Sequence, residues 1–129
     1  MNKRTDVMPS ARKVVALGLN IEQVDELQNH LSSCTVLQVK TVEELHATSA
    51  VVWITLGSKI HEAMIDSLIA YYNGILIDVK PAAFWVGYPK PPFQLRIKFI
   101  CTEYFEQLLW GIKNIPRWRN YFDQDTNLY

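Results

Sequence analysis

Ala50-Val-Val-Trp-Ile-Thr-Leu56, followed by Gly57-Ser58, is a nearly unbroken apolar run closed by a glycine and a helix-capping serine. Seven residues are too few to span a bilayer. An apolar run of that length, bounded by turn residues, reads as a strand buried on both faces inside a parallel sheet. The rest of the chain is read outward from it.

Upstream, Lys13-Val-Val-Ala-Leu17 is a first strand, and Gly18-Leu19-Asn20 turns it into a helix. Asn20 is a good N-cap with Gln23 three residues on, the spacing of a capping box. Ile21, Val24, Leu27 and Leu31 mark one face of a helix over 20–32, stopped at Ser32-Ser33. Cys34 to Val39 reads as the second strand. Thr41-Val-Glu-Glu44 repeats the capping pattern and opens a short helix with Val42 and Leu45 inward.

Downstream, Ser58 is expected to cap a third helix whose inner face is Ile60, Met64, Leu68 and either Tyr71 or Tyr72. Asn73-Gly74 supplies its left-handed stop. Ile75-Leu-Ile-Asp-Val79 then reads as strand four. From Pro81 to Gln94 the pattern breaks, with four prolines (Pro81, Pro89, Pro91, Pro92) and four aromatics (Phe84, Trp85, Tyr88, Phe93). No helix runs through such a segment, so it reads as a long loop. Leu95-Arg-Ile-Lys-Phe99 alternates, which predicts a fifth strand at a sheet edge with Arg96 and Lys98 on its wet face. Thr102 is expected to cap a last helix carrying Phe105, Leu108, Leu109 and Ile112, bounded by Pro116.

Five strands alternating with helices predict a doubly wound α/β sandwich of three layers with right-handed crossovers. The natural assignment is a flavodoxin-like, mostly parallel sheet of order 2-1-3-4-5, with an irregular proline and aromatic loop before the last strand. The expected division is a flexible leader over 1–12, one α/β domain over 13–116, and an aromatic and polar tail over 117–129. That tail is either a docked segment or the start of a removed connection.

The totals fit a single globular domain: 129 residues, 49% hydrophobic and 20% charged. Thirteen basic residues balance thirteen acidic ones. No global field therefore draws the chain to nucleic acid or anionic lipid, and a nucleic-acid role would need a local patch. Arg117-Trp-Arg119 with Tyr121 and Phe122 interleaves cations and aromatics as single-strand platforms do. It is one short cluster on a neutral protein, and packing against the body or a partner is the favoured reading. No apolar signal core follows Met1 to Pro9, so the expectation is a cytoplasmic protein without a membrane partner. Cys34 and Cys101 read as free thiols.

In such a sheet, ligands bind beyond the carboxyl ends of the strands, near the switch point between strands one and three. Asn20, Ser58, Lys80 and Cys101 are the candidate crevice residues there. Gly18-Leu19-Asn20 and Gly57-Ser58 lack the spacing of known phosphate loops and read as plain turns. Cys101 is the best nucleophile candidate, because a thiolate just before a helix N-terminus is stabilised. Glu103 and Glu106 follow it, however, and would repel an anionic substrate; no phosphate-gripping arginine follows. Asp78 and Lys80 share a strand face and read as an ordinary ion pair. His30, His46 and His61 sit on three different elements without ligand-pair spacing, so no metal or other cofactor is expected.

Val14-Val-Ala-Leu-Gly-Leu-Asn-Ile-Glu-Gln23, with the chain length and strand count, resembles the receiver domain of two-component signalling, the CheY-like fold, over residues 13 to 115. A receiver carries paired acidic residues after strand one to hold magnesium, where this chain has Gly18 and Leu19. Its phosphoacceptor aspartate ends strand three, where this chain has Ile54 or Thr55. Its lysine-proline follows strand five, near Cys101 and Thr102 here, and Lys80-Pro81 comes one strand too early. A hard dication would find no anionic oxygen at these positions. The resemblance thus implies a degenerate receiver working by contact.

The functional expectation is a non-catalytic regulatory module that binds a protein partner or a second copy of itself. Trp85, Tyr88, Phe93 and Trp110 are its expected anchors, flanked by Arg96 and Lys98. The alternative is a small enzyme or ligand-binding subunit using the crevice around Cys101. A third arrangement, the sensory piece of a longer regulator whose DNA-binding part lies elsewhere, is also compatible with the sequence.

Overall fold

In the computed structural model, which describes residues 12–46, 50–74, 82–95 and 98–123, five strands form one sheet in the order β2-β1-β3-β4-β5. They are β1 (Arg12–Leu17), β2 (Cys34–Val39), β3 (Val52–Leu56), β4 (Ala82–Val86) and β5 (Ile100–Thr102). All four pairings are parallel. The helices are α1 (Ile21–His30), α2 (Val42–His46), α3 (Glu62–Gly74), α4 (Phe105–Asn114) and α5 (Pro116–Asp123). This is the flavodoxin-like α/β sandwich expected from the sequence. Among the described residues, no helix is long and apolar enough to cross a membrane.

Burial along the strands follows their place in the sheet. Val52 to Ile54 in β3 and Val14 to Leu17 in β1 are continuously buried, as strands covered on both faces must be. Edge strand β2 alternates instead, with Thr35 and Gln38 exposed or half-exposed between buried neighbours. Odd and even residues divide the core into two layers. Val14, Ala16, Ile54, Phe84 and Val86 face α1, α4 and α5, meeting Leu27, Leu108, Ile112 and Phe122. Val15, Leu17, Trp53 and Trp85 face the other side, where Val42, Ile60 and Leu68 cover them.

Two strands differ from the sequence reading. The fourth is Ala82–Val86, taken from the segment read as loop; the expected strand over 75–79 lies outside the described residues. Pro81 and Pro89 flank these five residues rather than interrupting them, so the ladder loses no donor. The fifth is the three-residue Ile100–Thr102, with Phe84 opposite Ile100 and Val86 opposite Thr102. Leu95 and Phe99, expected within a strand over 95–99, instead fold over the sheet and pack in the layer around Trp85. They take the place that a helix between β4 and β5 would fill. Thr102 accordingly lies in β5 and does not cap α4. That helix is opened by Gln107, whose Oε1 accepts from the backbone N–H of Glu103 (2.7 Å) and Tyr104 (2.9 Å).

Smaller corrections have equally local causes. Arg12 already belongs to β1, and residues 1–11 of the expected leader lie outside the described residues. Ser58 sits in a 3-10 turn (Gly57–Lys59), and α3 starts only at Glu62. Pro116 opens α5, whose first N–H has no intrahelical partner to lose.

Helix α5 brings most of the expected tail onto the domain. Phe122 is fully buried and stacks on Phe84 (centroids 5.6 Å apart, 22° between planes), while Trp118 meets the same ring edge-on at 5.3 Å. The buried Cys34 thiol donates to the Phe122 carbonyl at 3.3 Å, tying α5 to the start of β2. Truncating Phe122 removes a whole ring from this layer, so Phe122→Ala should lower unfolding stability by about 3–5 kcal/mol. Urea denaturation followed by tryptophan fluorescence measures the loss, and a cost below about 1 kcal/mol would mean α5 does not belong to the core.

Candidate functional site

The loops that follow β1 and β3 flank the switch point, the position where this fold usually holds a ligand. Here they are packed against each other. Gly18 has φ 95°, a conformation glycine adopts freely, and its N–H donates to Val39 O at 3.2 Å. A Cβ at Gly18 would lie 2.8 Å from Lys59 Cβ and 3.3 Å from Leu56 Cβ. One residue beyond β3, a Cβ at Gly57 would lie 2.6 Å from both Pro89 O and Trp85 Nε1. Both glycines therefore serve close approach of protein to protein, Gly18 against Lys59 and Gly57 against Trp85 and the Pro89 carbonyl; an open depression of about 440 Å³ at the ends of β1 and β2 is lined by Asn20, Ile21, Glu22, Gln38 and Lys40.

The four crevice candidates are not gathered around a common space. Asn20 is committed to its capping box: its Oδ1 accepts from Gln23 N–H (2.8 Å), and Gln23 Oε1 accepts from Asn20 N–H (3.0 Å). Ser58 is exposed in the 3-10 turn, and Lys80 lies outside the described residues. Cys101 is exposed on β5, with β3 and β4 between it and β1. At about 4.8 Å per strand it stands roughly 14 Å across the sheet from the β1 end. Among the described residues no group of three or more His, Cys, Asp or Glu could hold a metal ion.

The expected contact residues divide as well. Trp85 is 1% exposed and cannot anchor a partner. Its indole Nε1 donates to Pro89 O at 2.8 Å, and its ring meets Phe99 edge-on at 5.2 Å. Counting it as a loop aromatic was the error, because as a strand residue adjacent to Phe84 it must enter the opposite layer. Tyr88, Phe93 and Trp110 are exposed by 57%, 92% and 62%, and Lys98 is also exposed. Arg96 lies outside the described residues.

Tyr104, 59% exposed, joins this set without having been expected. The signal was present in Gln107, which placed three residues after Tyr104 marks it as the N-terminal boundary of α4. Four of the five large exposed hydrophobic residues among those described thus follow β4 in the chain; Ile21 is the fifth. Tyr88 and Phe93 belong to the loop between β4 and β5, Tyr104 and Trp110 to the start and outer face of α4.

Among the described residues, no strand lies on the outer side of β5. Gly87 N–H donates to Thr102 O at 2.8 Å, so Thr102 turns its backbone groups toward β4, and strand alternation turns those of Cys101 outward. Beside this edge runs a shallow depression of about 400 Å³ lined by Cys101, Thr102, Glu103, Gln107, Trp110, Ile115 and Trp118. Thr102 Oγ1 is buried beside it without a hydrogen-bond partner among the described residues. The arrangement presents apolar surface and backbone edge, and among the described residues the Cys101 thiol donates to the Phe99 carbonyl at 3.8 Å. Comparisons with protein-family models, with curated proteins and with solved structures find no match.

The two thiols should separate cleanly in reactivity. Burial pushes the Cys34 thiol above its ordinary value, only partly offset by the Ser33 hydroxyl, so Cys34 stays protonated where a free thiol begins to ionise. Because the folded state then holds a proton that the unfolded state releases, this contribution to stability declines as pH rises through the alkaline thiol range. A disulfide reagent at mildly alkaline pH should modify Cys101 alone in the native protein and both cysteines in denaturant. Two fast thiols in the folded state would show that the contact between α5 and β2 is not kept in solution.

Proposed function

We propose that this protein is a non-catalytic regulatory module, a receiver-like fold without a phosphorylation site, that acts by protein contact along its β5 edge and pairs there with a second copy. The observation that carries this reading is the contrast between the two ends of the sheet. The loops after β1 and β3, where chemistry would sit, are drawn together by Lys59, Trp85 and the Pro89 carbonyl. The β5 edge, by contrast, leaves Tyr104 and Trp110 exposed beside a strand that has no outer neighbour among the described residues.

Each feature has a physical counterpart in association. Trp and Tyr are the side chains that most often supply binding energy when a partner desolvates them. A strand edge adds directional hydrogen bonds through main-chain groups. The receiver resemblance points the same way, since Gly18, Leu19 and the residues ending β3 provide no carboxylates for magnesium. Regulation would then depend on who occupies the edge and not on a phosphoryl group.

The test is solution mass by light scattering after size exclusion, over a range of protein concentrations. Wild type is expected to shift from monomer toward dimer. Trp110→Ser combined with Tyr104→Ser should stay monomeric at concentrations where wild type is mostly dimeric, a loss of at least about 2 kcal/mol for residues of this kind. Both side chains are exposed, so circular dichroism should be unchanged. A wild type monomeric at every concentration, or a double variant that still pairs, would remove the edge from this role.

A further inference from the structure

The balanced charge of the whole chain conceals a local segregation. From Val79 to Thr102 the sequence contains Lys80, Lys90, Arg96 and Lys98 and no aspartate or glutamate. The remainder is net acidic, since the chain sums to zero. Within this cationic stretch the loop between β4 and β5 projects Tyr88 and Phe93, and Phe93, at 92%, is the most exposed large hydrophobic side chain among the described residues.

The base of the loop is fixed, which turns these side chains into a defined feature. Trp85 Nε1 holds Pro89 O at 2.8 Å, and Asn73 Nδ2 holds Gln94 O at 3.1 Å. Leu95 N–H donates to Pro92 O at 3.1 Å, and the Leu95 side chain is buried in the layer around Trp85. Pro91 and Pro92 stiffen the backbone immediately before Phe93. A projecting ring on a braced turn, with exposed Lys90 and Lys98 on either side in the chain, is the result.

We propose that this loop docks on an anionic lipid surface, with Phe93 entering the headgroup and acyl boundary and the cations meeting acidic headgroups. Single rings of interfacial residues reach that depth, and basic side chains add attraction without any fixed geometry. The details favour lipid over two other anionic occupants. A nucleic-acid platform stacks successive bases on several open rings, whereas Lys90 Nζ lies 5.8 Å from the centroid of the Tyr88 ring, over its face, which leaves Phe93 as the open ring of this loop. A carboxylate-bearing protein must place its charges in register with the cations, whereas acidic headgroups meet Lys90 and Lys98, both point charges, in any arrangement. Glu103, next to the open β5 edge, lies at the other end of the cationic stretch. The proposal is independent of pairing through Trp110 and Tyr104, whose side chains it does not use.

Co-sedimentation of the full chain with vesicles tests it. Binding is expected to vesicles containing equal parts phosphatidylserine and phosphatidylcholine, and to be absent with phosphatidylcholine alone. Raising the salt concentration should weaken it. Phe93→Ser should lower the partition coefficient about tenfold or more, the effect of withdrawing one buried ring. Lys90→Ala with Lys98→Ala should lower it about 25-fold, about fivefold for each charge. All three side chains are exposed, so circular dichroism should match wild type. Equal binding to neutral vesicles, no binding to anionic ones, or full binding by Phe93→Ser would overturn the proposal. Retention by single-stranded DNA or by polyglutamate, with no vesicle binding, would overturn it in favour of that occupant.

Discussion

Phe84 and Trp85 are consecutive residues of a buried strand, and their rings therefore leave it on opposite faces. Both layers of the protein are built on this pair. On one side Phe84 receives Phe122, Trp118 and Tyr121 from α5, at centroid distances of 5.6, 5.3 and 6.2 Å. On the other, Trp85 meets Phe99 and spends its indole N–H on the Pro89 carbonyl. The N–H matters as much as the ring, since a buried indole without an acceptor would carry a desolvation cost. Satisfying it holds the Pro89 carbonyl against Gly57 at the end of β3.

In a doubly wound sheet the loops after the first and third strands normally diverge and leave a space for a ligand. Gly18 and Gly57 here let the loops converge, with Lys59 against one and Trp85 against the other. At the other side of the sheet stands β5, a strand of only three residues whose outer side has no neighbouring strand among the described residues. There the chain places exposed aromatics, some on the outer face of α4 and some on a cationic loop.

The sequence shows its periodic elements well and its irregular ones poorly. The run around Trp53, the capping box of Asn20 and Gln23, and the apolar face of Phe105, Leu108, Leu109 and Ile112 are local patterns, and each appears in the structure where it was read. The segment from Pro81 to Gln94 was read by its prolines, which mark where a helix cannot run but do not say where a five-residue strand fits between them. Leu95 to Phe99 was read by its alternation. Two apolar residues of that segment instead pack on the sheet face that carries α2 and α3, in the layer around Trp85. The same packing explains the misplaced contact residue. Trp85 and Phe93 look alike in sequence, as aromatics among prolines, yet one is 1% and the other 92% exposed.

What the sequence by itself determined is the layer architecture and the strand order class, because alternating apolar runs of strand and helix length have few ways to bury themselves together. It also determined the absence of receiver carboxylates at the ends of β1 and β3, which is a matter of residue identity. Only the tertiary structure decided which aromatics are core and which are surface, that Cys34 is sheltered by Phe122 while Cys101 is exposed, and that the loops after β1 and β3 converge. Those outcomes depend on contacts between residues tens of positions apart. Local propensity carries no information about such contacts, and here they are set by which side of one strand each of two adjacent rings must enter.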